Sequence, residues 1–340
     1  MKKLLLFTLL FACLAGCASK GQTVGEDYLL HTTCTITVYE TGQEDVIDGA
    51  FARARELENQ LSRTVETSDL SAIGQGGDVV VGADTLAVLE TALDICQRSD
   101  GALDITMGGV SDLWDFGSGS PVLPEKSEIE GELSHVSYEN VIVNPENSSV
   151  AMVDDHAVLD LGAVAKGYIV DEVAAYLEGQ GVTSALVNFG GTISAIGDKY
   201  GEDFSIGLQQ PFYPNDDNQA SQLAGVVSLA GETMVTAGTY QQCFVQENQL
   251  YHHILDPKTG YPAQTDVASA TVFAESAALG DAISTACVVM GYEKAVAFLE
   301  DLGGVPAIFI LEDGQVIASP AVAFTQAGSP SQSALLTALP

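Results

Sequence analysis

The sequence predicts a single mixed domain of the α+β class. Three observations carry this prediction. The 340 residues are 46% hydrophobic and 17% charged, which is enough apolar material to bury a full core. Short β-branched runs alternate with segments whose apolar residues recur at helical spacing. No Gly-x-Gly-x-x-Gly pattern follows the first predicted strand, and its absence disfavours a doubly wound dinucleotide-binding fold.

The first half of the chain supplies strands, helices and one loop. The β-branched run Tyr28–Tyr39 predicts the first strand. Helical periodicity predicts helices at Val46–Leu61 and Thr85–Gln97, and the Ser/Pro/Glu-rich segment Gly117–Glu132 predicts a surface loop. Val136–Val158 is typical of a hairpin that turns at residues 144–149 and leads into a central strand ending at Asp160.

The stretch Asp160–Asp171 organises the rest of the chain. It is typical of a strand end, a turn of small residues and a helix that carries Val170 and Leu177 on its apolar face. Small residues let a ligand approach the backbone, free N–H groups at a helix start bind anions, and Lys166 adds a positive charge. A phosphate would fit such a turn. A connection whose small residues only allow a helix to pack on a strand is the alternative.

The second half predicts several short strands and two more helices. Strands are expected at Ala185–Phe189, Ile193–Gly197, Phe204–Leu208, Gly225–Leu229, Val267–Phe273, Ala307–Leu311 and Gly314–Ala318, and helices at Ala277–Met290 and Glu293–Leu302. Adjacent residues of a strand point to opposite faces, so only one of His252 and His253 can face a pocket. Asp281 and Thr285 are four residues apart on one helix face and suit an oxygen-preferring cation such as Mg²⁺. A helix-capping role for Asp281 is the alternative.

The charge balance limits the binding partners. The chain has 12 Lys plus Arg against 46 Asp plus Glu, a formal net charge of -34. Such a surface repels phosphate backbones, so no nucleic acid partner is expected. A small anion can bind only where local cations, N–H groups or a metal overcome this field, which favours a divalent cation at the site.

The N-terminus resembles a bacterial lipoprotein signal. Lys2 and Lys3 precede an apolar run, too short to span a membrane, that ends in Leu-Ala-Gly-Cys at Cys17. The resemblance implies a signal peptide at 1–16, a lipidated Cys17 with a tether at 17–26, a domain at 27–325 and a tail at 326–340. It also implies an extracytoplasmic location on the bacterial cell membrane. An ordinary signal peptide with a chance cysteine is the alternative. The remaining Cys34, Cys96, Cys243 and Cys287 are expected as buried thiols, although such a location permits disulfides.

Several motifs together resemble the ApbE family of FAD:protein FMN transferases. Its patterns match Gly101–Thr106 with Trp114–Gly117, Asp160–Asp171, Val187–Gly191, His253–Pro262 and Asp281–Thr285, in order and at fitting spacing. The resemblance implies a single domain of the ApbE type, similar to a T-fold, with mostly antiparallel sheets. It also implies Mg²⁺-dependent transfer of FMN from FAD to a Thr or Ser hydroxyl, with release of AMP. The acceptor would be an extracytoplasmic protein of a redox complex.

The resemblance also implies roles for individual residues. Asp281, Thr285 and the carbonyl of Ala163 would hold Mg²⁺, Lys166 would add charge, and His253 would orient or deprotonate the incoming hydroxyl. The residues expected to hold the flavin nucleotide are Ala102, Leu103, Asp104, Asp160, Lys166, His253 and Leu255. The chain departs from common family residues at His31, Thr64, Gly109, Thr192 and Ala237, which bears on the flavin pose. Two alternatives remain: a pyrophosphatase that splits FAD into FMN and AMP, and a lipoprotein that binds FAD without catalysis.

Overall fold

The structure is a computed structural model and describes residues 21–118, 120–211, 222–247 and 249–328. The expected signal peptide, Cys17 and the end of the expected tail lie outside these residues. The eight α-helices of the described part are α1 (Glu44–Leu61), α2 (Asp69–Ile73), α3 (Ala83–Arg98), α4 (Gly108–Trp114), α5 (Lys126–Leu133), α6 (Ala165–Gly179), α7 (Ala277–Met290) and α8 (Tyr292–Asp301). None of these helices combines the length and the apolar character that a membrane span requires.

The strands form one large sheet, two small sheets and a hairpin. Their bounds are β1 (Thr23–Leu29), β2 (Thr32–Val38), β3 (Val79–Val80), β4 (Val141–Asn144), β5 (Ser149–Met152), β6 (Ala185–Phe189), β7 (Thr192–Ile196), β8 (Phe204–Gln209), β9 (Leu223–Leu229), β10 (Thr233–Gly238), β11 (Cys243–Gln246), β12 (Gln249–His252), β13 (Val267–Val272), β14 (Ala307–Leu311), β15 (Val316–Ala318) and β16 (Phe324–Gln326). The large sheet has the order β1-β2-β6-β7-β10-β13-β14-β15, and its paired strands are antiparallel. The expected α+β domain with mostly antiparallel sheets is confirmed.

Both faces of the large sheet are covered. On one face, Phe309 packs into the main core together with α1, α3, α6 and α7. On the other face, Ile308 and Ile310 pack against the small sheet β16-β9-β8. Adjacent strand residues point to opposite faces of the sheet. Since both faces are covered, every residue of β13 is buried. The strands therefore run between two apolar layers, and the loops at their ends carry the polar groups.

The N-terminal strand prediction is wrong in one respect. The expected strand at Tyr28–Tyr39 is a hairpin, in which β1 and β2 pair across a turn at Leu30 and His31. Both turn residues have positive φ angles, 53° and 57°, which is the backbone of a tight hairpin turn. The expected tether at 17–26 is too long, because β1 begins at Thr23 and residues 23–26 belong to this strand.

Two further predictions are corrected. The expected loop Gly117–Glu132 contains most of α5, whose first turn is closed by a capping box between Glu125 and Glu128. The expected central strand before Asp160 is absent; Val158 forms an isolated bridge with Met107, and the Asp160 N–H donates to the Ile105 carbonyl at 2.7 Å. The predicted hairpin turn is confirmed, since β4 ends at Asn144 and β5 begins at Ser149.

Helices α6 and α7 stabilise each other at their N-terminal ends. Asp171 of α6 accepts the N–H groups of Ala277 and Ala278 at 2.7 and 2.9 Å. In return, Asp281 of α7 accepts the N–H of Gly167 at 3.0 Å. Carboxylates at helix N-termini satisfy N–H groups that have no partner inside the helix. This reciprocal capping fixes the position of the first turn of α6 against α7.

Replacing Gly167 with alanine is expected to destabilise the protein. A Cβ atom at this position would lie 2.1 Å from the carbonyl oxygen of Ala277, so the two helices must move apart. Overpacking of this kind costs about 1–3 kcal/mol. The matched control is Gly179→Ala in the same helix, where a Cβ meets no atom within 4 Å. Urea unfolding of the two variants checks the prediction, and equal stabilities would contradict it.

Candidate active site

One cavity of about 930 Å³ opens beside the start of α6. It is lined by segments that are far apart in the sequence: the β1–β2 turn, the loop after α1, the ends of β6 and β8, and the segment after β12. All ten residues that the sequence predicted for catalysis, flavin binding or metal binding in the domain line this cavity: Ala102, Leu103, Asp104, Asp160, Ala163, Lys166, His253, Leu255, Asp281 and Thr285. The structure therefore brings the predicted residues together, while their individual roles stay predictions.

Asp281 lies at the floor of the cavity and is 5% exposed. Its Oδ1 accepts from the Lys166 ammonium at 3.0 Å, and its Oδ2 accepts the Gly167 N–H. The Lys166 ammonium also donates to the Thr192 hydroxyl. Thr192 is one of the positions where the chain departs from common family residues, and here its hydroxyl helps to hold Lys166. Asp281 is thus a cap of α6 and one partner of an ion pair, whereas the N-cap of its own helix α7 is Ser276.

The oxygen donors expected for Mg²⁺ have suitable chemistry. Asp281, Thr285 and Ala163 line the same cavity, and carboxylate, hydroxyl and carbonyl oxygens are ligands for hard cations. Within the described residues, no group of three or more His, Cys, Asp or Glu side chains is arranged to hold a metal. Mg²⁺ commonly takes one or two protein carboxylates and completes its coordination with water and substrate phosphates. The donor set fits a cation that binds together with a phosphorylated substrate.

His253 follows β12 directly and lines the cavity. Its backbone N–H donates to the Gln242 carbonyl at 3.0 Å, and the ring Nδ1 is buried without a hydrogen-bond partner among the described residues. Desolvation, together with smaller effects of the neighbouring His252 and Lys166, lowers the pKa of His253 to about 4. The imidazole is therefore neutral at pH 7 and can accept a proton.

His252 points away from the cavity, as strand geometry predicted. It is 3% exposed, and its Nε2 lies 3.1 Å from the Ala263 carbonyl, to which it can donate. Burial lowers the pKa of His252 to about 4. The adjacent histidines thus have separate environments, one in the core and one at the cavity.

The protein is expected to lose stability as the pH falls from about 6.5 to about 4, and His252 contributes to this loss. Because the folded pKa is below the unfolded value of about 6.5, the unfolded chain binds a proton in this window that the native state does not. The slope for one such group is at most about 1.36 kcal/mol per pH unit. In His252→Gln this part of the slope should vanish. Urea unfolding at several pH values measures it, and an unchanged slope in the variant would contradict the assignment.

Two predicted flavin-binding carboxylates are largely engaged with the protein itself. Asp104 accepts the N–H and hydroxyl of Thr106 and the N–H of Tyr138, at 2.6 to 2.9 Å. Asp160 accepts the Gly162 N–H at 2.9 Å and lies 3.6 Å from Arg63 Nε. Both residues line the cavity, and their observed contacts fix the loops around it.

Sequence reasoning missed Arg63. This residue lines the cavity and forms ion pairs with Asp112 at 2.6 Å and with Asp160 at 3.6 Å. In the described part of the chain, Arg63 and Lys166 are the lysine and arginine residues on the cavity wall. Arg63 stands in a polar segment after α1, and no local pattern distinguishes it from a surface arginine.

Trp114 supports the cavity from behind. It is fully buried, its Nε1 donates to the Gly260 carbonyl at 2.8 Å, and it packs against Tyr251, Tyr261 and Phe116. The hydrogen bond ties α4 to the turn that follows His253. Trp114 is therefore a core residue. Cys34, Cys96 and Cys287 are buried free thiols as expected, and Cys243 is a partly exposed free thiol.

A family model and two relatives of this chain agree on one protein family. The model of a family described as the ApbE family matches residues 30–309. An FAD:protein FMN transferase from Treponema pallidum (strain Nichols) is 33% identical over 317 residues, which cover 87% of this chain and 86% of that protein. The FAD:protein FMN transferase from Klebsiella pneumoniae (strain 342) is 33% identical over 71% of this chain and 73% of that protein.

Solved structures resemble the fold over most of the chain. The ApbE protein from Thermotoga maritima superimposes with a TM-score of 0.79 at 29% identity, covering 88% of this chain and 97% of that one. The flavin transferase ApbE from Vibrio cholerae gives a TM-score of 0.77 at 27% identity, covering 88% of this chain and 98% of that one. The match to the family model over residues 30–309 includes the segments that build the cavity.

Proposed function

Because the chain belongs to the ApbE family, we propose that it is a flavin transferase that moves FMN from FAD to a Thr or Ser hydroxyl of an acceptor protein and releases AMP. The proposal depends on the observation that separate motifs come together at one cavity. A neutral histidine, a lysine–aspartate pair and an arginine line this cavity. The name of both relatives, FAD:protein FMN transferase, describes transfer of FMN from FAD to a protein and supports this proposal.

The proposed reaction breaks one phosphoanhydride bond and forms one phosphoester bond. The acceptor hydroxyl oxygen forms a bond to the phosphorus of the FMN half of FAD, and the anhydride bond to the AMP half breaks. AMP leaves with the bridging oxygen, and the hydroxyl proton goes to His253. A neutral imidazole suits this step because one of its ring nitrogens has a lone pair that can accept the proton.

Positive charge at the cavity opposes the acidic field of the whole chain. Lys166 and Arg63 attract the pyrophosphate and reduce the charge that develops on its oxygens during transfer. The hydrogen bond from Lys166 to the Thr192 hydroxyl would keep the ammonium in place if Asp281 bound a metal ion. Asp281, Thr285 and the Ala163 carbonyl would hold Mg²⁺, and the cation would supply Lewis-acid chemistry by reducing the negative charge on the phosphate oxygens.

We further propose that the mature protein is anchored to the extracytoplasmic face of the membrane through lipid on Cys17. The lipoprotein-like signal at the N-terminus supports this location. The acceptor would then be an extracytoplasmic FMN-carrying protein of a redox complex. Mass spectrometry of the membrane-extracted protein tests the anchor, and a mature chain that begins elsewhere than a modified Cys17 would overturn it.

The activity test uses the soluble chain from residue 18 onward, incubated with FAD and Mg²⁺, with and without an FMN-accepting domain. Release of AMP is measured together with flavin fluorescence that stays on the denatured acceptor. Covalent flavin that appears with AMP supports the transferase. Equal AMP release without acceptor, and no covalent flavin, would replace the proposal with a pyrophosphatase. Tight FAD binding without AMP release would replace it with a binding protein.

A further inference from the structure

The outer edge of β8 differs from the other sheet edges of the described chain. Strand β8 pairs only with β9 and lies at the end of the sheet β16-β9-β8. Its six residues, Phe-Ser-Ile-Gly-Leu-Gln, include no charge and no proline. Exposed edges are usually protected by charges, prolines or short length, because unpaired backbone groups attract other strands.

The other edges have such protection or are shorter. The edge strand β1 carries Glu26 and Asp27. The edge strands β15 and β16 have three residues each, β3 has two, and β4 and the two hairpin strands have four. Among the described strands, β8 is thus the longest edge without a charge or a proline.

The direction of the backbone groups on β8 follows from its neighbours. Ser228 of β9 donates its N–H to the Ala323 carbonyl at 2.9 Å, on the side of β16. Ser205 is opposite Ser228 in the register, so this pair is not hydrogen-bonded across β8 and β9. In an antiparallel strand, alternate residues direct both N–H and C=O to the same side. The backbone groups of Ser205 and Gly207 therefore point to the outer edge of β8.

All six residues of β8 line one of two cavities. Phe204, Ser205 and Ile206 line a second cavity of about 220 Å³, together with Tyr39 and Lys199. The next three residues, 207–209, line the main cavity. A strand of this length spans roughly 20 Å. The edge thus leads from the protein surface directly into the cavity that contains His253.

We propose that an extended segment of the acceptor protein adds as a strand to the outer edge of β8 and thereby carries its Thr or Ser hydroxyl into the main cavity. This proposal rests on the proposed transferase function. Backbone hydrogen bonds to Ser205 and Gly207 would supply the register, as in other complexes formed by strand addition. Gly207 has no side chain, so a second backbone can approach closely at the cavity entrance.

The first test compares Ser205→Pro with Ser205→Ala. Proline removes the outward N–H and is tolerated on an edge whose N–H faces away from the sheet, whereas alanine keeps the N–H and removes only the side chain. We expect Ser205→Pro to raise the KM for the acceptor about tenfold, with no comparable change in the KM for FAD. In Ser205→Ala the KM for the acceptor should stay near the wild-type value. An equal acceptor KM in the two variants would overturn the docking proposal.

The second test uses the wild-type chain and covers the case in which Ser205→Pro does not fold. Amide hydrogen exchange at Ser205 and Gly207 is measured with FAD and increasing acceptor. Both amides should become protected as the acceptor saturates. Unchanged exchange at saturation would overturn the proposal, as would protection that grows with enzyme concentration alone, because the edge would then pair with a second copy. If the wild type attaches no FMN to the acceptor, the transferase proposal itself fails.

Discussion

Replacing Asp281 with asparagine is expected to lower the rate of FMN transfer by at least about 10²-fold. Asparagine keeps the size of the side chain but removes the negative charge that Lys166 contacts at 3.0 Å. The ammonium then loses its ion-pair partner while it keeps the bond to the Thr192 hydroxyl, and the expected Mg²⁺ site loses its carboxylate. The measurement is the transfer rate as a function of Mg²⁺ concentration, with a melting curve to establish that the variant is folded.

Asp171→Asn provides the control for Asp281→Asn. Asp171 is the other carboxylate of the reciprocal capping, and burial raises its pKa, but it is not part of the cavity wall. This variant should lose stability while its dependence on Mg²⁺ stays like that of the wild type. Wild-type transfer by Asp281→Asn at limiting Mg²⁺ would remove Asp281 from the reaction.

Replacing His253 with glutamine is expected to reduce the transfer rate by about 10²–10⁴-fold, the usual contribution of general acid–base catalysis. Because the pKa of His253 is lowered to about 4, the wild-type rate should not fall as the pH drops through 6.5, and the acid limb due to this group should lie near pH 4. FAD binding should persist in the variant, since glutamine retains a polar side chain of similar length.

His252→Gln is the matched control for His253→Gln, because it makes the same chemical change one residue away and outside the cavity. Its transfer rate at pH 7 should equal that of the wild type. Rates that fall equally in the two variants would indicate a structural effect of this segment. A small loss in His253→Gln, within a few-fold, would leave the histidine a positioning role only.

Much of the fold was predictable because its signals are local. Helical spacing predicted α1, α3 and α7, and strand alternation correctly separated His252 from His253. The hairpin at Leu30 and His31 was missed because these residues carry no Asn-Gly or Asp-Gly signal, and only the tertiary structure holds them at positive φ. Helix α5 was missed because few of its residues are buried and its capping box uses Glu125 in place of the usual Ser or Thr.

The site was predictable in its membership but not in its contacts. The resemblance to the ApbE motifs identified the cavity wall, since the site residues taken from those motifs line it. The pair of Lys166 and Asp281 joins residues 115 positions apart, and no periodic pattern reports such a contact. The same applies to Arg63, whose partners Asp112 and Asp160 become neighbours only when α4 and the start of α6 are folded together.

The reciprocal capping of α6 and α7 has a consequence for the energetics of turnover. Each helix end is held by a carboxylate of the other, so the dipoles and charges at the cavity floor are oriented before any substrate arrives. A polar environment that is preorganised in this way needs little reorientation when charge develops during reaction. Bulk water would have to reorient at every turnover, whereas these protein groups are oriented once, when the chain folds. Motions that admit FAD and release AMP must then occur at the rim of the cavity, while its floor stays fixed.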